Sequence, residues 1–151
     1  MSVSVQIEDF DISQEIGTLT AVRTDIGAVV TFTGLVRDMG GGQPVSAMDL
    51  EHWPGMTEQA LEQIETRARQ RWSLQATRIV HRYGALKPGD QIVLVIAASP
   101  HRGAAFEAAE FMMDFLKTRA PFWKKETTPQ GARWVDARDA DDTAQARWDQ
   151  P

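Results

Sequence analysis

Apolar and polar positions alternate from Val3 to Phe10, the period of a half-buried strand, and Asp11 stands where it can cap a short helix running from Ile12 toward Val22. The next apolar segment, Gly27 to Arg37, is almost continuous and rich in β-branched residues, which predicts a buried strand with a charge at its exit. Asp38 to Pro44 contains Gly40, Gly41 and Gly42 in a row and predicts a flexible loop; a second strand is expected over 45–53, ended by Pro54-Gly55. After Thr57, placed as a cap, Leu61, Ile64, Ala68 and Trp72 recur on one helical stripe with charges opposite. Strands are expected over 76–83 and 91–98, joined through the turn residues Pro88-Gly89-Asp90.

From Gly103 to Thr118, Phe106, Ala109, Met113 and Leu116, with Phe111 and Phe115 beside them, make an apolar face too wide for a surface helix, so this helix should be largely buried. Pro121 stops it, and 122–128 with 132–136 read as a hairpin around Pro129-Gln130-Gly131. Strands interspersed with three main helices, without strict alternation, predict an α+β fold. Neither an internal repeat nor a linker is visible, so residues 1–151 are expected to form a single domain, with 137–151 a charged and loosely packed tail.

Composition narrows the function classes. With 42% hydrophobic and 25% charged residues the chain is globular rather than disordered. Its start has no basic segment leading into an apolar one, and no apolar run approaches bilayer length; a cytoplasmic location without membrane attachment is the expectation. Cysteine is absent, which removes disulfides, thiolate zinc sites, iron–sulfur clusters and a cysteine nucleophile together. Any sulfur handled here must therefore arrive on another molecule. His52, His81 and His101 lack the short spacings of metal ligands, so neither a metal nor another cofactor is expected. A net charge of -5 argues against a nucleic-acid surface.

Within this acidic chain, cations gather at element ends: Arg37 after a strand, His101-Arg102 before a helix, Lys117 near that helix's end, and Lys124-Lys125 beyond Pro121. Free N–H groups and the positive dipole end at a helix N-terminus suit an anion, so His101-Arg102 point to an anionic small molecule. Taken singly, each of these cations is more simply a solvated surface charge. Lys117 and Lys124 lie on either side of a helix terminator, and two readings follow. Brought close, each ammonium disfavours the other, lowering a pKa toward proton transfer or nucleophilic attack; kept apart, Lys117 offsets the helix dipole and Lys124 decorates a strand. His101 suits an acid–base role, a ligand hydrogen bond or a cap, whereas His52 and His81, inside predicted strands, suit packing. Five tryptophans are available, and Phe122-Trp123 lies between the lysines, suited to stack on a flat heterocycle or to anchor a core or interface. The triple glycine lacks the spacing of a phosphate-binding fingerprint and fits a lid or linker.

Read together, Gly27-Ala28-Val29-Val30-Thr31-Phe32-Thr33-Gly34 through Arg37, Leu50-Glu51-His52-Trp53-Pro54-Gly55-Met56, and His101-Arg102 resemble the large-subunit family of molybdopterin synthase, MoaE. The run Met113-Asp114-Phe115-Leu116-Lys117-Thr118-Arg119-Ala120-Pro121-Phe122-Trp123-Lys124-Lys125-Glu126 is similar to that family's signature almost throughout, and the blocks keep their order across roughly residues 27–136. The resemblance implies an α/β hammerhead-like fold with an antiparallel sheet and an additional small β-subdomain. It further implies a homodimer that becomes a heterotetramer with two small, ubiquitin-like (MoaD-like) sulfur-carrier subunits.

By that resemblance the activity is sulfur transfer in molybdenum cofactor biosynthesis. The carrier's C-terminal Gly-Gly thiocarboxylate donates sulfur to cyclic pyranopterin monophosphate, two carriers being spent per dithiolene, which would account for the missing cysteine. Lys117 would be the main catalytic residue with Lys124 beside it; Arg37, His101 and Arg102 would hold phosphate and pterin, with Lys125 and Glu126 as further substrate-binding positions. A cationic pocket suits this chemistry, since phosphate, thiocarboxylate and the developing oxyanion are all negative. The chain departs from the family at Leu35, where a basic residue is common, so one phosphate contact is expected to be lost. The alternative is a non-catalytic subunit that binds a ubiquitin-like carrier tail; the presence of Lys117, Lys124, Arg37, His101 and Arg102 favours the enzyme.

Overall fold

A computed structural model describes residues 2–40, 42–135 and 139–149. The first strand, β1 (Val3–Gln6), leads to α1 (Ile12–Thr20), whose cap is the expected Asp11, its carboxylate accepting from the Gln14 N–H at 3.0 Å. The apolar run at 27–37 forms β2 (Ala28–Leu35). The loop expected after it instead closes into a minimal hairpin, β3 (Met39–Gly40) against β4 (Gln43–Pro44), and Gly41 lies outside the described residues. Next come β5 (Ala47–His52) and α2 (Met56–Arg71), followed by β6 (Ala76–Arg82), a short β7 (Gly84–Leu86), and β8 (Gln91–Ser99). Beyond it lie α3 (Arg102–Arg119), β9 (Phe122–Thr128), β10 (Gly131–Val135) and α4 (Asp139–Ala146), with a single 3-10 turn at Arg147–Asp149.

The strands form two four-stranded sheets, ordered β1-β6-β8-β2 and β10-β9-β5-β7, with β3-β4 as a separate ribbon. Among the described residues only β1 with β6 is parallel, so the fold is α+β with antiparallel pairing dominant. In β8 every residue from Ile92 to Ser99 is buried, which explains why the segment reads as an unbroken apolar run. Its Val93, Val95 and Ala97 join Ala108, Phe111, Met112 and Phe115 in the main core, while Leu94 and Ile96 face Ile12, Ile16 and Leu19 of α1 on the other side. The first sheet is thus covered on both faces, and the end of α3 is carried toward the second.

Two local expectations, on Thr57 and Phe106, are corrected. Thr57 is not the cap of α2: Gly55, at φ 85°, occupies that position, and the Glu58 carboxylate accepts from its N–H at 2.6 Å. Thr57 is fully buried one residue into the helix, its hydroxyl donating to the Trp53 carbonyl at 2.8 Å. Phe106 is 60% exposed, because the buried stripe of α3 runs through Ala105, Ala108, Ala109, Met112, Phe115 and Leu116, three and four residues apart, and leaves Phe106 at its edge. The tail, expected to be loosely packed, holds α4 and Trp148; the Trp148 ring sits 5.6 Å from both Trp72 and Phe111, and its indole N–H donates to Asp114 at 2.6 Å. Residues 136–138 and 150–151 of that tail lie outside the described residues. Among the described residues, no helix is long and apolar enough to cross a membrane.

Candidate active site

Where β2 leaves the first sheet, the last turns of α3 meet the inner face of the second sheet around a cleft of about 780 Å³. Lys117 enters it from the final turn of α3. Ala120 and Pro121 then end the helix, the Phe122 N–H donating to the Ala120 carbonyl at 2.9 Å, and the chain reverses into β9. Successive strand side chains alternate in direction, so Phe122, Lys124 and Glu126 face the cleft together, while Trp123 and Lys125 face away. Arg37, just past the end of β2, lines the same cleft with Phe32 and Leu35.

The two lysines share the cleft, and Lys117 acts on the charge of Lys124. Burial, the nearby Lys117 ammonium and a side-chain hydrogen bond with it bring Lys124 down to about 8, partly opposed by the carboxylates of Asp141 and Glu126. Near pH 8 Lys124 is therefore divided between its ammonium and amine forms beside Lys117, able to take up or release a proton. His81 forms part of the wall. It is buried, stacked on Phe122 at 3.8 Å, and its Nδ1 faces the Arg82 carbonyl at 2.8 Å. That carbonyl fixes the tautomer with hydrogen on Nδ1, and burial, reinforced by both lysines, pushes the ring down to about 3, so it stays neutral.

Of the residues singled out in the sequence, Arg37, Lys117, Lys124 and Glu126 are brought together. Lys125 is on the opposite face of β9, its ammonium 5.7 Å from the centre of the Trp134 ring. His101 and Arg102 are exposed at the other end of α3, about 22 Å from Lys117 at 1.5 Å rise per residue. Arg133, Asp141 and His81 line the cleft without having been singled out for it. His81 carried a signal, a histidine within an apolar strand, that reads first as packing; Arg133 and Asp141 carried none, since nothing local distinguishes them from surface charges.

Comparison with known proteins matches residues 5–119 to the family model described as MoaE protein. The molybdopterin synthase catalytic subunit of Ralstonia nicotianae is 58% identical over 147 residues, covering 97% of this chain and 84% of the relative. Among solved structures, the molybdopterin biosynthesis MoaE protein from Burkholderia ambifaria superimposes with a TM-score of 0.85 at 53% identity, covering 99% of each chain. Molybdopterin synthase from Staphylococcus aureus gives 0.83 at 33% identity, covering 90% of this chain and 98% of that one. Shared fold, sequence identity over nearly the whole length and the matched model together make this chain a member of the MoaE family, the family of molybdopterin synthase catalytic subunits.

Proposed function

We propose that the cleft between α3 and β9 is where this chain, a sulfurtransferase of molybdenum cofactor biosynthesis, moves sulfur from a small carrier subunit onto cyclic pyranopterin monophosphate. The observation that carries this is that Lys117 and Lys124 line one cleft, which Arg37 also lines, with Lys117 close enough to lower the pKa of Lys124. The carrier's C-terminal Gly-Gly thiocarboxylate is an anion on a slender tail, able to reach a recessed ammonium where a bulkier donor is excluded. Arg37 receives the substrate phosphate, for which a guanidinium is geometrically suited. Lys117 acts as the charged partner of the thiocarboxylate and, once its sulfur has bonded to the substrate as a thioester, of the oxyanion formed when water adds to that acyl carbon; collapse leaves the sulfur on the substrate and a carboxylate on the carrier, while Lys124, neutral in a substantial fraction near pH 8, takes up and returns protons. With Leu35 at the cleft, phosphate binding leans on Arg37.

The homodimer gives His101 and Arg102 a role that one chain cannot. Too far from their own Lys117, they reach a lysine cleft only from a second copy, where the N-terminal end of its α3 adds positive potential for phosphate or pterin. Two large subunits and two carriers then make a heterotetramer, working in the cytoplasm without nucleic acid, membrane or resident cofactor.

The test is conversion of cyclic pyranopterin monophosphate to molybdopterin by the purified chain with thiocarboxylated carrier, comparing wild type with Lys117→Ala. Loss of turnover with carrier binding intact supports the assignment. Tight carrier binding by a wild-type protein that never turns over would instead identify a non-catalytic docking subunit.

A further inference from the structure

Glu126 is only 8% exposed, and two other elements converge on its carboxylate. From β10, Arg133 Nη2 lies 3.6 Å from Oε1 of Glu126, and the same nitrogen donates to the Gly40 carbonyl at 2.5 Å. From β3, the Gly40 backbone rests on the carboxylate so closely that a Cβ there would fall 2.7 Å from Oε2 and 3.0 Å from Oε1. Gly40 is not at positive φ, so what an added Cβ would disturb here is the placement of the Glu126 carboxylate rather than the backbone conformation. The β3-β4 ribbon pairs with neither large sheet; its own ladder consists of Met39 opposite Pro44 and Gly40 opposite Gln43. Gly40, Glu126 and Arg133 all line the lysine cleft.

Resting on the reading of that cleft as the sulfur-transfer site, we propose that Arg133 is a positioning residue: it grips the Gly40 carbonyl and the Glu126 carboxylate together, fixing the β3-β4 ribbon as one wall and partly neutralising the carboxylate beside Lys124. Glu126 then serves the cleft's architecture and its charge balance rather than touching substrate, whose phosphate it would repel. The charges acting on Lys124 are Lys117 from α3, Asp141 from α4 and Glu126 on its own strand; His81 of β6, Arg37 after β2 and Arg133 of β10 share the cleft. Removing the guanidinium leaves the Glu126 charge uncompensated, so the ammonium form of Lys124 is favoured. Removing the Glu126 charge has the opposite effect.

Modification of Lys124 by an amine-reactive reagent, followed against pH by peptide mass spectrometry on the full chain, reads this without substrate. Arg133→Gln is expected to move the midpoint up by about one pH unit and Glu126→Gln to move it down, with Arg133→Lys close to wild type. General loosening of the cleft would hydrate Lys124 and raise the midpoint in both glutamine variants, so shifts of the same sign, or none, overturn the proposal. In the turnover assay, Arg133→Gln and Gly40→Ala should lose about tenfold to a hundredfold in kcat/KM, with Arg133→Lys recovering most of it. Should Arg133→Gln fail to fold, Gly40→Ala decides. Faster proteolysis within 38–45 at an unchanged melting temperature supports the pin, and unchanged proteolysis overturns it. A wild type without turnover whose variants still shift Lys124 in opposite directions retains the pin and refutes the sulfur-transfer reading; normal turnover with no shift does the reverse.

Discussion

Lys117 and Lys124 meet inside one cleft because Pro121 breaks α3 between them and the chain reverses into β9 with alternate side chains turned inward. Their contact makes one lysine's titration depend on the other. Lys124, at about 8, should be labelled by an amine-directed reagent with a midpoint near that pH, and Lys117→Gln should raise it by removing both the repulsion and the hydrogen bond. A midpoint unmoved by the substitution would mean that burial alone sets it. The sign for stability follows: between about 8 and the ordinary 10.5 the unfolded chain holds a proton at Lys124 that the folded chain has released, so this lysine's contribution becomes more favourable as pH rises through that window. At pH 7 it opposes folding, and Lys124→Met should raise the melting temperature while abolishing turnover.

His81 gives a second pH signature, at the acid end. Held neutral down to about 3 in the fold but free to protonate near 6.5 when unfolded, it withdraws stability as pH falls from about 6.5 toward 3. Urea midpoints of wild type and His81→Phe measured across that range should converge on acidification. At pH 7 the phenylalanine variant should be less stable by about 1–2 kcal/mol, because the part-buried Arg82 carbonyl loses its donor. Parallel curves would exclude His81 as the acid-sensitive group.

Gly27 sits where β2 begins against the end of β8, its N–H donating to the Ser99 carbonyl at 3.1 Å. A Cβ there would lie 2.0 Å from the Pro100 carbonyl oxygen, a backbone atom that cannot swing aside. Gly27→Ala should therefore cost about 1–3 kcal/mol in chemical denaturation, as overpacking does. Gly17→Ala, with open space at the added atom, is the control and should not destabilise.

Trp148 fastens the C-terminal segment to α3 through its rings and Asp114, helped by Arg147, which pairs with Asp114 at 2.7 Å and Glu110 at 2.6 Å. Trp148→Ala should cost about 3 kcal/mol and speed proteolysis after residue 135. It also carries Asp141 away from the cleft. Because Asp141 favours the charged form of Lys124, the labelling midpoint of Lys124 should fall in this variant, and a constant midpoint would show that α4 keeps its place without the tryptophan.

What was legible in the chain was what local periodicity records. The unbroken apolar run of β8, the stripe of α2 and the Pro129-Gln130-Gly131 turn each report their own burial or geometry. What stayed hidden depends on partners distant in sequence. The three-residue β7 exists only because β5 lies alongside it, and Trp148 becomes a fastener only once Trp72 and Phe111 are in place. Phe106 shows a different limit: the hydrophobic pattern counts it with the apolar face of α3, whereas the buried stripe through Ala105, Ala108, Met112 and Phe115 leaves it at the edge. At the cleft, the lysines and Arg37 were visible as cations at element ends. Arg133 and Gly40 were not, because their function lies in one hydrogen bond across 93 residues.

The length of α3 has a genetic consequence. A chain damaged at Arg102 and a chain damaged at Lys117 carry their lesions at opposite ends of one rigid helix, about 22 Å apart. If each cleft draws those two groups from different copies, the two alleles are not equivalent. In a mixed dimer one cleft collects both lesions and the other collects neither. Two inactive mutants expressed in the same cell should then restore part of the activity through interallelic complementation.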